Sequence, residues 1–246
     1  MGKWKKWLSA GLFTAMLGTA IIAGPTADVS ANAGNKPYNI ENVSPDAQLA
    51  PSVGDSSSKT SSKAWHKIDG VCYNGSGKKV EGAITRGMDV SEWQGKINWK
   101  EAKKDLDFAF VRISYGTRHL DDYYDYNMTE AEAADVPVGT YVYSLAKTNK
   151  EALAEAQLAI RQMQGHKVSY PVAFDLEDEA TLGTLTRKEI SQIALTFCDE
   201  IRKAGYTPIL YMNLNWYNNF VDWNVLEGSG LDVWIASYGD TILAPS

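Results

Sequence analysis

Basic charge, cysteine and histidine are all scarce in this sequence of 246 residues. Lys and Arg number 24 against 30 Asp and Glu, a net charge of -6. With no basic excess to displace counterions from phosphates, nucleic acid is excluded as a partner. The two cysteines, Cys72 and Cys198, lie far apart, so the chain is no disulfide scaffold, and they read as separate thiols rather than a bridge. Neither stands in a His or Asn motif that would make it a nucleophile. His66, His119 and His166 are isolated, with no second ligand at metal spacing, so no metal and no cofactor is called for. There is no serine nucleophile elbow and no Gly-rich dinucleotide turn after the first strand. Gly75-Ser76-Gly77-Lys78 lacks both the upstream Gly and the following Ser or Thr of a phosphate loop. The 20 Gly and 8 Pro are ordinary usage, which excludes collagen-like or wholly low-complexity chains.

What the chain does have is organised in four parts. Lys3, Lys5 and Lys6, an apolar run from Trp7 to Ala23, the break Gly24-Pro25 and the small-x-small Ala31-Asn32-Ala33 read as a signal peptide over residues 1–33. A secreted, extracellular protein follows from that reading, with membrane attachment only if the segment stays uncleaved. Residues 34–64, with Pro37, Pro45, Pro51 and a Ser-rich stretch, read as a disordered Ser/Pro-rich linker that buries too little apolar surface to offset its ordering entropy. Residues 65–83 read as a hairpin extension, Val71-Cys72-Tyr73 and Lys78-Lys79-Val80 flanking Asn74 to Gly77. Residues 84–246 form the main domain. Residues 65–246 carry a net of -8, because the first 33 residues carry +2 and the linker balances.

In the main domain short apolar runs alternate with helical segments. Strands are expected at Gly87 to Val90, Phe108 to Tyr115, Val138 to Leu145, Tyr170 to Leu176, Thr207 to Met212 and Leu231 to Tyr238. Helices are clearest at Asn149 to Gln164 and Thr186 to Ala204, the second opened by the capping box Thr186/Glu189 and closed by Gly205. Strand, helix, strand at this spacing means parallel pairing with right-handed crossovers, an α/β protein with a barrel favoured over a doubly wound sheet.

In such barrels chemistry sits at the C-terminal strand ends. Those ends offer Asp89, Tyr115, Tyr143, Asp175 with Glu177, Tyr211 with Asn213, and Tyr238. Carboxylates ringed by aromatics fit carbohydrate, whose apolar ring faces stack on Tyr and Trp. The sharpest signal is Tyr170-Pro171-Val172-Ala173-Phe174-Asp175-Leu176-Glu177-Asp178, an apolar strand ending in Asp-x-Glu. Side chains two apart on a strand share a face, so both carboxyls point into the barrel mouth. Their repulsion leaves a neutral acid beside an anion, the pair that glycosidic cleavage requires. The same pattern also fits an acidic strand end, or a divalent-ion site drawing on Asp178 and Glu179.

Several stretches carry a family resemblance. Arg86-Gly87-Met88-Asp89-Val90-Ser91-Glu92-Trp93-Gln94-Gly95, Phe108 to Thr117, Val138 to Ser144, Asp175-Leu176-Glu177, Ile209-Leu210-Tyr211 and Trp234-Ile235-Ala236-Ser237-Tyr238 resemble, in order and spacing, glycoside hydrolase family 25, the Chalaropsis-type lysozymes. The resemblance implies a TIM-like (β/α)5(β)3 barrel, here C-terminally truncated, since two strands, the last bearing an active-site Asp, are expected beyond residue 246. It implies an N-acetylmuramidase acting on the glycan strands of peptidoglycan, working as a monomer. Glu177 would be the general acid, Asp175 would assist the substrate's 2-acetamido group, and Asp89 would be a further essential carboxylate. Tyr143, Tyr211, Trp234 and Tyr238 would line the sugar subsites. With strands missing, a catalytically impaired peptidoglycan-binding protein or an inactive fragment is the alternative. Either the sequence is truncated, or the hairpin near Val71 and Val80 or a second chain covers the gap. The related chitinase-type signature is excluded because Tyr170 and Ala173 stand where it needs Asp.

Overall fold

The computed structural model describes residues 6–10, 19–23, 66–74 and 76–237; the linker and Tyr238 lie outside the described residues. Strands β1 (Lys6–Ala10) and β2 (Thr19–Ala23) come from the N-terminal apolar segment, and β3 (His66–Ile68) and β4 (Val71–Tyr73) form a separate hairpin. The main domain then runs β5 (Ala83–Val90), a 3-10 turn at Glu92–Gln94, α1 (Trp99–Ala102), β6 (Phe108–Tyr115), β7 (His119–Leu120), α2 (Tyr124–Ala133), β8 (Val138–Tyr143), α3 (Asn149–Met163) and β9 (Val168–Asp175). It continues through α4 (Glu179–Leu182), α5 (Arg187–Lys203), β10 (Pro208–Asn213), α6 (Leu214–Asn219), α7 (Trp223–Leu226) and β11 (Asp232–Ser237).

Strands β5, β6, β8, β9, β10 and β11 pair in that order, every neighbour parallel, and curl into a half-barrel sheet with helices outside. The two places between β11 and β5 are taken by β1, parallel to β11, and β2, antiparallel to β1 and β5. The hairpin expected to cover that gap does not: β3 and β4 make their own two-stranded sheet. Its main turn is Asp69-Gly70, both at positive φ (49° and 79°), which sets the tight turn a right-twisted hairpin favours. The partner expected for β4, residues 78–80, adds the bridge Tyr73 to Lys79 and the bonds from Val80 N–H to the Cys72 carbonyl and from Asn74 N–H to the Lys78 carbonyl. Lys67 reaches Asp107, just before β6, at 2.7 Å, so the hairpin sits at the end of the barrel opposite the strand ends that carry the carboxylates.

Alternation along the strands makes two cores. Phe108, Phe110, Ala173, Ile209 and Trp234 pack inside the sheet, while Ala109, Val111 and Ile113 turn outward against the helices. Gly87 and Gly139 leave the room this needs: a Cβ on Gly87 would stand 2.2 Å from the Phe108 ring, and one on Gly139 would stand 2.7 Å from Phe110. On the outer layer α5 buries Ile190, Ile193, Ala194, Phe197 and Ile201, with Phe197 stacked on Phe174 of β9 at 4.1 Å. Cys198 lies buried on the same helix, and both cysteines are free thiols. Helix α2 was not legible from periodicity, because its buried residues Tyr124, Asn127, Met128 and Ala131 mix polar and apolar types.

Helix α3 carries a buried acid. Glu155, 2% exposed, accepts from the Ser144 hydroxyl at 2.8 Å and the Leu145 N–H at 2.9 Å, tying the helix to the chain just after β8. Burial pushes its carboxyl up from 4.5 to about 7. A folded carboxyl that binds its proton more tightly than the unfolded one stabilises the fold fully below pH 4.5 and loses that contribution as pH rises to about 7. The group is therefore worth on the order of 3 kcal/mol less at pH 8 than at pH 4.5. Glu155→Gln keeps the shape and removes the titration. Its melting temperature relative to wild type is expected to climb between pH 5 and 8; a pH-independent difference would contradict this.

Candidate active site

The mouth of the barrel is built where β5, β8, β9 and β10 end. The end of β9 is clamped on both sides, the Asp175 carbonyl accepting from Ser144 N–H after β8 and Leu176 N–H donating to the Tyr211 carbonyl on β10, each at 3.0 Å. That fixes the backbone carrying Asp-x-Glu, and alternation sends Asp175 and Glu177 inward while Leu176 packs in the outer core. Asp175 is 6% exposed. Asp175 Oδ1 and Glu177 Oε1 are buried and have no hydrogen-bond partner among the described residues. Such unmet acceptors mark a place built for something else to bind.

The electrostatics follow from crowding. Burial raises the Asp175 carboxyl well above its ordinary value, and Glu177 and Asp89 add repulsion that Arg112 opposes. Glu177 is raised to about 7, chiefly by burial, although hydrogen bonds from the side chain and backbone of Asn213 favour its anion. Asp89, at the end of β5, is raised to about 6 by burial. Near neutral pH this trio holds at least one proton, so an acid and an anion coexist at the mouth.

The aromatic residues divide. Tyr143 stacks on Tyr115 with ring centroids 4.8 Å apart, and both hydroxyls point at Asp178 Oδ2, at 3.4 and 3.3 Å. The other Asp178 oxygen caps α4 through Thr181 N–H at 2.7 Å, so the pair is held from a fixed point. Tyr211 and Trp234 meet edge to face at 4.8 Å, and Trp234, 3% exposed, also packs on Phe110 at 4.6 Å. Trp234 thus forms the floor of the mouth and presents no open face. Tyr238 lies outside the described residues.

Asn213 was placed at a strand end by the sequence, but its contact with Glu177 was not read, nor were two further features. Asn213 contacts Glu177 while its own side-chain oxygen caps α6 through Trp216 N–H at 3.0 Å, which turns its amide nitrogen toward the acid. Tyr141, on the inward face of β8, lies within electrostatic reach of both Asp89 and Asp175. His119 is not isolated: the β6–β7 hairpin folds it back onto Glu92 at 2.7 Å, and Glu92, His119 and Asp122 offer ligand atoms within 4.8 Å of one another. Arg112 already pairs with Glu92 at 2.8 Å, so the charge a cation would meet there is taken. Asp178 is spent on the tyrosines and the α4 cap and Glu179 lies exposed on α4, which removes the ion-site reading of those two.

Fold and site together define an α/β-barrel protein with a carboxylate centre at the C-terminal strand ends. The Glycosyl hydrolases family 25 model matches residues 88–243, and the chain belongs to that family. Lysozyme M1 of Streptomyces globisporus is 26% identical over 164 residues, covering 63% of this chain and 55% of that protein. An uncharacterized Escherichia coli K12 protein, YegX, is 26% identical over 139 residues, covering 54% of this chain and 49% of its own length. The chain therefore spans about half the length of these curated relatives. A family 25 glycosyl hydrolase from Bacillus anthracis has a similar fold, with a TM-score of 0.53 at 24% identity over 61% of this chain and 69% of that one.

Proposed function

We propose that this chain is an exported peptidoglycan hydrolase of the lysozyme type, cutting the β-1,4 bond between N-acetylmuramic acid and N-acetylglucosamine within a (β/α)5(β)3 barrel. The observation that carries the reading is the buried Asp175–Glu177 pair with one unpartnered oxygen on each carboxyl. Family membership and the likeness to a protein named lysozyme M1 support the substrate class.

In this reading neutral Glu177 donates its proton to the glycosidic oxygen as the bond to the anomeric carbon breaks. The carbonyl oxygen of the substrate's own 2-acetamido group bonds to that carbon from the opposite face. Asp175 accepts the acetamido N–H and balances the positive charge that develops on the ring so formed. Glu177, now a carboxylate, takes a proton from water, whose oxygen opens the ring and leaves a sugar with retained configuration. Asp89 supplies a further negative charge near the anomeric carbon, and Tyr143 on Tyr115 offers a stacked face to a sugar ring. Export rests on the signal-like N-terminus; processing after Ala33 would remove β1 and β2 and leave β5 and β11 as open edges unless other strands paired with them.

The reading is tested by digesting purified peptidoglycan with the full chain, reducing the new ends with borohydride and identifying the sugar alcohol. Muramitol is the expected product. Glucosaminitol would mean the opposite bond is cut, and no sugar alcohol would leave binding without hydrolysis. The net -8 of residues 65–246 also has a consequence, since like charges repel at low ionic strength. Raising salt to about one-Debye-length screening near 8 Å is expected to increase pelleting with anionic walls; weaker pelleting would show that local basic contacts dominate.

A further inference from the structure

Asp178 follows Glu177 directly, and its two carboxylate oxygens have separate partners. Oδ1 accepts the Thr181 N–H at 2.7 Å as the N-cap of α4, which fixes the side chain to the backbone beyond it. Oδ2 accepts the hydroxyls of Tyr115 at 3.3 Å and Tyr143 at 3.4 Å, while the two rings stack with centroids 4.8 Å apart and 15° between their planes. Strand register tells where the pair stands. Tyr115 on β6 lies opposite Tyr143 on β8, and Tyr143 lies opposite Asp175 on β9. Side chains in register on neighbouring strands point to one face of the sheet, so the pair continues the level of Asp175 across the mouth. Tyr115 is the open end: it is 37% exposed, and among the described residues Tyr143 is the only ring it stacks on. Burial, and then Asp178, hold the Tyr115 hydroxyl above its ordinary value, and burial with Asp175 and Asp178 does the same for Tyr143. Both therefore keep their protons near neutral pH and remain donors.

We propose that Asp178 is a positioning residue for the glycan: it gathers both hydroxyls on one anchored oxygen, so that Tyr115 and Tyr143 meet the substrate as a preset stack presenting ring surface. This rests on the hydrolase reading, in which Tyr143 borders a sugar subsite. Each hydroxyl has one proton to donate, and both are committed to Asp178. What the pair has left for a sugar is mainly the apolar faces and edges of its rings, which suit the C–H face of a pyranose. The anchor matters because an exposed side chain left free must be ordered when substrate binds, which costs affinity about two- to tenfold for each. A carboxylate suits this place because it has two oxygens, one for the cap and one for the pair. Its own charge is a weaker influence on Asp175 than that of Glu177 or Asp89, so position and charge can be separated by experiment.

The test measures kcat and KM for reducing-end release from purified peptidoglycan by the full chain. Wild type is compared with Asp178→Ser, Asp178→Asn, Tyr115→Phe and the double variant Asp178→Ser/Tyr115→Phe, with melting temperatures to check the fold. Serine still caps α4 but is too short to reach the tyrosines. Asparagine can keep its oxygen on the cap and turn its NH2 to the two hydroxyls, so it preserves the contacts without the charge. Asp178→Ser is expected to raise KM about fivefold with kcat held within about twofold, and Asp178→Asn to recover most of that loss. Tyr115→Phe should raise KM about threefold by itself and add nothing to Asp178→Ser, since the hydroxyl acts through Asp178 alone. An unchanged KM in Asp178→Ser overturns the proposal, as does an Asn variant as impaired as the Ser one, which would make charge the cause. A loss from Tyr115→Phe that persists beside Asp178→Ser also overturns it, because the hydroxyl would then touch the sugar itself. Should Asp178→Ser not fold, Tyr115→Phe and Tyr143→Phe decide, and an unchanged KM in both overturns the proposal. A wild type that pellets with peptidoglycan but releases no reducing ends would sink the hydrolase reading. Pelleting of the same variants would then judge Asp178, the same order of losses supporting it and equal pelleting overturning it.

Discussion

Glu177→Gln is expected to lower turnover on peptidoglycan about 10³-fold, with wall binding and melting temperature little changed. The glutamine amide cannot protonate the leaving oxygen, yet it fills the same space beside Asn213. Wild-type Glu177, raised to about 7 by burial, is substantially protonated at neutral pH and so is poised as an acid. Activity should therefore fall on the alkaline side as that proton is lost. Residual turnover above one tenth of wild type would show that another group donates the proton.

Asp175→Asn is expected to cost about 10²- to 10³-fold in turnover and at the same time to raise the melting temperature. The two effects have one cause. Folding strips water from the Asp175 carboxyl and sets it against Glu177 and Asp89, and an amide of the same shape removes both the cost of burying the charge and the repulsion. Its folded carboxyl binds protons more tightly than an unfolded one, so the destabilisation is present above the unfolded value and is relieved on acidification. The stability gain of the variant should therefore be larger at pH 7 than at pH 4. With the neighbouring charge gone, Glu177 gives up its proton more easily, and the alkaline limb should move to lower pH. An unchanged limb with unchanged stability would mean the two carboxyls do not interact.

How much of this was legible in the sequence depended on whether local pattern or tertiary contact carried it. The Asp175-x-Glu177 pair could be read because a period of two is rigid: once Phe174 and Leu176 face outward, the two acids face inward. Helix α5 was equally plain, its capping box at Thr186/Glu189 and its positive-φ stop at Gly205 both present as read. The same period could not give depth along the barrel, which is why Trp234 and Tyr143 read alike although one is the floor and the other the rim. The turn at Asn74 to Gly77 was legible from its residue types and is bridged by Tyr73 and Lys79, whereas the β3–β4 pairing about Asp69-Gly70 was not read. The Asn213–Glu177 contact, Arg112 and the Glu92–His119 contact were hidden because each acts across separate elements. A lone Asn after a strand, or an Arg within an apolar run, carries no local sign of the partner it will meet.

The most direct measurement is release of reducing ends from purified peptidoglycan by the full chain, run beside Glu177→Gln at equal concentration. Release by wild type that falls about 10³-fold in the folded variant is the expected result. Equal release from both proteins, or none from a folded wild type that still pellets with the wall, would contradict a hydrolase centred on Asp175 and Glu177.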